Sequence, residues 1–264
     1  MKKMVSLLSV LFSVFIAQSH EFWLQPKKFR FAVGEETRIE FLVGENFNGE
    51  PWDLRKNKIE KLELHQQNKV SDLKGEVKLE EKEKLKIKFT EEGTYVLSMQ
   101  SNESFIALDS KKFNDYLTDE GLDEIRSIRA KTNSSDKPSR ELYSRYAKLL
   151  LQTGSKKDDT FKKRVGFKIE IVPLQNPYNL KSGDYLQCLI LFDGKALPHQ
   201  LVKIWNIIGN ASILQNAYTE NDGTIKFPIS GRGPWMISTV KMIESQKSVA
   251  DWQSFWGSLT FEIE

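Results

Sequence analysis

His20 is the residue with the clearest chemical role, because it follows a segment typical of a secretory signal peptide. Two lysines precede an apolar run over residues 4–17, and the small side chains of Ala17 and Ser19 complete the layout. The run is too short to cross a bilayer, which takes about 20 residues. We therefore expect cleavage after Ser19, a mature chain that begins at His20, and a periplasmic or secreted location.

A histidine at a free N-terminus can chelate a metal ion through its α-amine nitrogen and its ring Nδ1, which an internal histidine cannot do. Copper and nickel suit such nitrogen ligands, whereas calcium and magnesium prefer oxygen. The alternatives are that cleavage falls one or two residues away, or that His20 is a solvated terminus without a metal. Glu21, the next residue, is a further candidate ligand.

The other two histidines are weaker candidates for metal ligands. His65 lies on the polar side of an alternating run, so we expect it to be exposed and without a role. His199 lies in a predicted loop before Leu201, and it meets His20 only if the two halves of the chain face each other. The sequence has no Gly-x-Ser-x-Gly motif, no His-Glu-x-x-His motif and no glycine-rich phosphate loop. We therefore do not expect a familiar hydrolase, and a non-enzymatic protein is the first prediction.

Composition describes an ordinary globular protein. Hydrophobic residues make up 39% of the chain and charged residues 28%, and 39 basic side chains nearly balance 36 acidic ones, so a nucleic-acid partner is not indicated. No second apolar run approaches membrane length, which predicts no membrane span after signal removal. Cys188 is the only cysteine, so no disulfide can form within the chain, and its apolar surroundings predict a buried thiol.

The elements that must position His20 are predicted to be mainly β. Alternation of apolar and polar residues dominates residues 29–99 and returns from residue 167 to the C-terminus, with glycine- and asparagine-rich turns between the runs. This pattern predicts two β-sandwich domains of immunoglobulin-like or prealbumin-like type. We place the signal peptide at residues 1–19, the first sandwich at 20–110 and the second at 165–264.

A helical segment and connector are predicted between the sandwiches, over residues 111–164. Apolar residues spaced three and four apart predict short helices over 111–131 that are interrupted near Gly121. A second helix is predicted over 141–150, and the lysine-rich residues 154–164 are predicted to be an exposed connector.

Five stretches of the chain form a recognisable set. They are residues 20–24, 43–47, 141–150, 191–195 and 251–261, which read HEFWL, VGENF, ELYSRYAKLL, LFDGK and DWQSFWGSLTF. Together they resemble the NikM-like exported family, a family of unknown function linked to nickel or cobalt uptake. The resemblance implies a periplasmic, β-rich protein with a terminal histidine that handles a transition metal. Glu45 lies in the second stretch, and its carboxylate is the candidate oxygen ligand beside His20.

Three functions follow from these observations. The first is an exported protein that binds nickel, cobalt or copper through His20, with Glu45 as a second metal-site residue and a membrane metal transporter as its partner. The second is an oxidase-like enzyme in which His20 and one further histidine form a copper-binding brace. The third is a metal-free envelope protein with an interaction or structural role, in which the six tryptophans are core residues rather than a sugar-binding platform.

Overall fold

The computed structural model describes residues 20–54, 58–79 and 85–264, and the predicted signal peptide at residues 1–19 lies outside them. The described chain is mainly β, as predicted. Its strands are β1 (Glu21–Pro26), β2 (Arg30–Phe31), β3 (Glu36–Glu45), β4 (Asn48–Pro51), β5 (Ile59–Gln66), β6 (Lys69–Asp72), β7 (Leu85–Lys88), β8 (Gly93–Ser101), β9 (Ser104–Leu108), β10 (Ser139–Thr153), β11 (Ile169–Pro173), β12 (Tyr185–Phe192), β13 (Lys195–Ala196), β14 (Leu201–Ile208), β15 (Ala211–Tyr218), β16 (Thr224–Pro228), β17 (Gly233–Glu244) and β18 (Trp252–Ile263). Its helices are α1 (Ser110–Asp119) and α2 (Asp123–Lys131).

The strands form one large sheet and two small ones. The large sheet has the order β15-β14-β17-β18-β10-β8-β5-β6, and β2 and β9 also pair with β10. One small sheet contains β1, β3, β4 and β7, and the other contains β11, β12, β13 and β16. Buried apolar side chains from all three sheets form a shared core, so the arrangement is a sandwich of small sheets against a large one. The domain boundaries at residues 110 and 165 stay a prediction.

The helix predicted over residues 141–150 is wrong, because this stretch lies within the 15-residue strand β10. Its central part pairs in parallel with β18, and its two ends pair with β9 and β8 in the antiparallel sense. All of its residues from 146 onward are buried, without alternation. Burial on both faces removes the alternation that marks a strand, and periodicity then does not separate the stretch from a helix. Pairing on both sides then overrides the helical preference of leucine, alanine and glutamate.

The two helices predicted within residues 111–131 are confirmed. Asp109 caps α1 by accepting a hydrogen bond from the backbone N–H of Lys112 at 2.9 Å. Gly121 separates α1 from α2 at a φ of +63°, and a Cβ there would lie 2.9 Å from Leu201. Glycine therefore permits both the turn and the close approach of the helices to β14. Neither helix is long and apolar enough to cross a membrane, and the same is true of every helix in the described ranges.

A buried ion pair connects β10 to β11. Lys148 Nζ donates hydrogen bonds to Glu170 Oε1 at 3.0 Å, to the backbone oxygen of Lys163 at 2.9 Å and to that of Ile171 at 3.1 Å. Burial lowers the pKa of Lys148, and the Glu170 carboxylate opposes that shift. The lysine-rich connector is also less exposed than predicted, because Phe161 within it is buried.

Candidate functional site

His20 and Glu45 lie together at one end of the ladder between β1 and β3. Glu21 lies opposite Gly44 in this antiparallel pair, so His20, which precedes Glu21, faces Glu45, which follows Gly44. The His20 Nε2 atom lies 3.4 Å from Glu45 Oε1, and both side chains are partly exposed to solvent. The structure therefore brings the two predicted metal-site residues into contact.

A tight hairpin fixes the position of Glu45. The turn between β3 and β4 consists of Asn46 and Phe47, at φ values of +55° and +54°. Asparagine tolerates this left-handed conformation, whereas it is unfavourable for phenylalanine. Phe47 is nevertheless buried, and its ring packs edge-on against Trp23 with the ring centroids 5.3 Å apart. Aromatic packing thus holds a strained turn directly beside the site.

A cleft of about 480 Å³ extends inward from Glu45. Helix α1 forms one wall, with Tyr116, and strands β14 and β15 form the other, with Trp205 and Leu214. The charged residues that line the cleft are Glu21, Glu45, Lys112, Asp115, Asp119, Glu120 and Lys203. The volume lies within the range of small-molecule sites, which is about 300–1,000 Å³.

Two buried carboxyl groups share one lysine at the inner end of the cleft. Lys203 Nζ donates a hydrogen bond to Glu120 Oε1 at 2.8 Å and lies 3.9 Å from Glu21 Oε1. Glu21 and Glu120 are only 5% and 6% exposed. Lys203 projects from β14, where it interrupts an apolar run. A single lysine in a strand of this kind is the sequence signal that could have revealed the group.

Burial shifts the titration of both carboxyl groups. It raises the pKa of Glu21 to about 7, against the opposing effect of Lys203 and with a further rise from the nearby Glu120. Burial also raises the pKa of Glu120, although Lys203 again favours the charged form. Such perturbed groups in a cleft are typical of functional sites.

The comparisons with known proteins add a family but no function. The model of a domain of unknown function, DUF4198, matches residues 17–242. The chain belongs to the DUF4198 family. The family description agrees with the predicted resemblance to a family of unknown function, but it does not confirm the NikM-like label. No curated protein matches the chain.

Solved structures similar to this DUF4198 chain are distant. A tetra-tandem repeat in the extending region of a large adhesion protein is 7% identical, with a TM-score of 0.23 over 93% of this chain and 50% of that one. Three N-terminal domains of the bacteriophage RB49 Highly Immunogenic Outer Capsid protein (Hoc) are 10% identical, with a TM-score of 0.20 over 93% of this chain and 71% of theirs. The chain thus spans half the length of the first structure. TM-scores this low carry no argument about fold or function.

The prediction that His65 of the DUF4198 chain is exposed is wrong. The side chain is buried in the large sheet, and its Nε2 atom lies 2.9 Å from Ser98 Oγ and 3.4 Å from Glu63 Oε2. Burial lowers its pKa, against the opposing effect of Glu63. His199 is exposed at a φ of +55°. In the described ranges, no three His, Cys, Asp or Glu side chains converge on a common metal position.

A further buried carboxyl group, Glu141, lies behind the cleft wall. Its Oε1 atom accepts hydrogen bonds from the hydroxyl groups of Ser254 and of Tyr116, the latter at 3.2 Å. Burial raises the pKa of Glu141 to about 7. The sequence analysis missed this group because a glutamate on a predicted helix is expected to face solvent.

Proposed function

We propose that the mature protein binds a transition metal ion, nickel, cobalt or copper, through the N-terminal His20. The observation that carries this proposal is the contact between His20 Nε2 and Glu45 Oε1 at 3.4 Å. It rests further on the predicted cleavage after Ser19, which creates the free α-amine that the chelate needs.

The role of each histidine nitrogen follows from this contact. When Nε2 carries the ring proton and faces a carboxylate, Nδ1 is left with its lone pair free for a metal. Histidines that bind metals generally donate their other ring N–H to such a partner, which fixes the tautomer and makes the ligand more basic. Glu45 is therefore proposed as the partner of Nε2 rather than as a direct oxygen ligand. The α-amine and Nδ1 of His20 are the proposed ligands.

The copper-brace alternative has less support. It needs a second histidine near the first, and the side chain of His65 is already engaged with Ser98 and Glu63. His199 makes no contact with His20 among the ion pairs and hydrogen bonds of the described residues. We therefore favour binding and delivery of the ion over oxidase chemistry. The proposed location is the periplasm or the exterior of the cell, and the proposed partner is a membrane metal transporter.

The test compares the processed protein with a variant that carries one additional alanine before His20. The mature N-terminus is confirmed by mass spectrometry, and nickel, cobalt and copper affinities are measured by competition with a chelator. We expect one ion per chain for the processed protein and a loss of affinity of at least about 100-fold on extension, because the chelate ring can no longer form. Equal affinities, or no binding by a protein that begins at His20, would refute the proposal.

A second comparison tests Glu45. Glu45→Ala is expected to weaken binding by about 10–100-fold, as is typical when the partner of a metal-binding histidine is removed. Glu50→Ala is the matched control, since Glu50 is an exposed carboxylate on the adjacent strand β4. Glu45→Gln retains an oxygen that can accept a hydrogen bond from the Nε2–H group, so it is expected to retain more affinity than Glu45→Ala. A loss as large for Glu45→Gln would instead indicate direct ligation by the carboxylate.

A further inference from the structure

We propose that the cleft between α1 and β14 binds a small organic ammonium ion, a protonated amine carried on an apolar body, with Glu21 as its anchor. This cleft adjoins the proposed chelate, because Glu45 lines it and Glu21 follows His20 in the chain, but it has its own anchor and its own class of ligand. This proposal rests on the charge of the cleft, on an unsatisfied buried oxygen and on the nature of the walls.

The charge of the cleft favours a cation. Five carboxyl groups and two lysines line it. Lys203 is already hydrogen-bonded to Glu120, and Lys112 Nζ lies 3.6 Å from Asp109 at the N-terminus of α1. Asp115 is likewise ion-paired with Lys111, and Glu45 contacts His20, so the excess of carboxyl groups over cations comes from Glu21 and Asp119. A bound cation would neutralise this excess.

Glu21 supplies a specific point of attachment. Its side chain lines the cleft and is more than nine-tenths buried. The Trp205 indole N–H lies near enough to lower the pKa of Glu21, but the Oε1 atom accepts no well-formed hydrogen bond. The 3.9 Å separation from Lys203 Nζ is too long for a hydrogen bond. A buried carboxylate oxygen without a donor is unfavourable, because it has lost its hydration without gaining a hydrogen bond in the protein. An ammonium N–H from a ligand would satisfy this oxygen.

The walls identify the cation as organic rather than metallic. Leu108, Leu214 and the rings of Tyr116 and Trp205 give the cleft an apolar lining around its acidic end. Aromatic faces attract ammonium groups, and apolar walls favour a hydrocarbon body. Among the described residues no three His, Cys, Asp or Glu side chains come together, so the carboxyl groups of the cleft do not by themselves enclose a metal ion.

The probe is benzylammonium, and benzyl alcohol serves as its neutral counterpart of similar shape. Binding to the mature protein is measured by isothermal titration calorimetry. We expect saturable binding of benzylammonium and affinity at least about tenfold lower for benzyl alcohol, since tenfold corresponds to loss of one hydrogen bond to a charged group. Binding of Nα-acetyl-lysine amide that exceeds that of benzylammonium would identify a protein-borne ammonium group as the natural source. Equal affinity for the amine and the alcohol would refute the proposal.

Variants then locate the bound amine. Glu21→Gln is expected to weaken benzylammonium binding at least about tenfold, whereas Glu124→Gln, an exposed carboxyl on α2 outside the cleft, changes it less than about twofold. Leu214→Lys places a competing ammonium group at the exposed rim and is expected to weaken binding at least about fivefold without altering the core. If both cleft variants bind benzylammonium as the natural chain does, the site is wrong. Leu214→Lys leaves His20, Glu21 and Glu45 in place, so loss of amine binding with intact metal binding in this variant separates the two proposals.

Discussion

Replacement of Glu141 by glutamine tests whether this carboxyl group is held neutral inside the protein. Glu141 is buried, and its Oε1 atom accepts hydrogen bonds from Ser254 and Tyr116. Glutamine has nearly the same shape and retains an oxygen that can accept both bonds. It cannot ionise, so the variant lacks the burial penalty that the charged carboxylate experiences.

The magnitude follows from linkage. Burial raises the pKa of Glu141 from 4.5 to about 7. Between these values the folded chain retains a proton that the unfolded chain has released, so stability falls as the pH rises through this window. A difference of about 2.5 pKa units corresponds to roughly 3 kcal/mol. The natural chain has its full contribution from this group below about pH 4.5 and has lost it above about pH 7.

The assay is urea denaturation of both chains at about pH 4.5, 6 and 8. The free energy of unfolding of Glu141→Gln, relative to the natural chain, is expected to rise by about 3 kcal/mol from the lowest to the highest pH. Any constant cost of burying the amide cancels in this comparison. Glu124→Gln, which replaces an exposed carboxyl, should show a change below about 0.5 kcal/mol. A pH-independent difference for Glu141→Gln would show that the carboxyl group is not held neutral.

Two further substitutions test the hairpin and the buried ion pair. A Cβ at Gly44 would lie 2.2 Å from the backbone oxygen of Asn48, so Gly44→Ala is expected to lower the free energy of unfolding by about 2 kcal/mol and to weaken metal binding. A Cβ at Gly75 meets no atom within 4 Å, so Gly75→Ala should change neither quantity. Urea denaturation measures the stability and metal titration measures the affinity. Lys148→Met leaves the Glu170 carboxylate buried without its cation, so the free energy of unfolding in urea denaturation is expected to fall by about 3–5 kcal/mol. Adding Glu170→Gln to this variant should restore at least half of the lost stability. An unrestored stability would contradict this account.

Local sequence determined much of the β structure and both short helices. Alternation fixed strands such as β3 and β7, because one face of each is largely buried and the other is exposed. Apolar residues spaced three and four apart placed α1 and α2 on either side of Gly121. All six tryptophans proved to be buried, as expected for core residues. The exposed strand β15 was not predicted, since no buried face marks it in the sequence.

The contact between His20 and Glu45 was partly accessible from sequence. Each residue was selected on its own, His20 for its position after the signal and Glu45 for the family resemblance. Their meeting depends on the register of β1 against β3, which pairs Glu21 with Gly44. Register is set by which side chains enter the shared core, and that information is distributed over both strands.

The sequence by itself determined the mainly β class, the two helices and the residues most suited to metal chemistry, because these depend on periodicity and side-chain type. Only the tertiary structure decided that residues 141–150 form a central strand, that His65 is buried, and that Glu21, Glu120 and Lys203 meet at one end of a cleft. Each of these outcomes depends on partners distant along the chain. A strand buried on both faces and a histidine beneath neighbouring residues have no local pattern that distinguishes them from their alternatives. Lys203 in its apolar strand signals a buried partner, but not which carboxyl groups supply it.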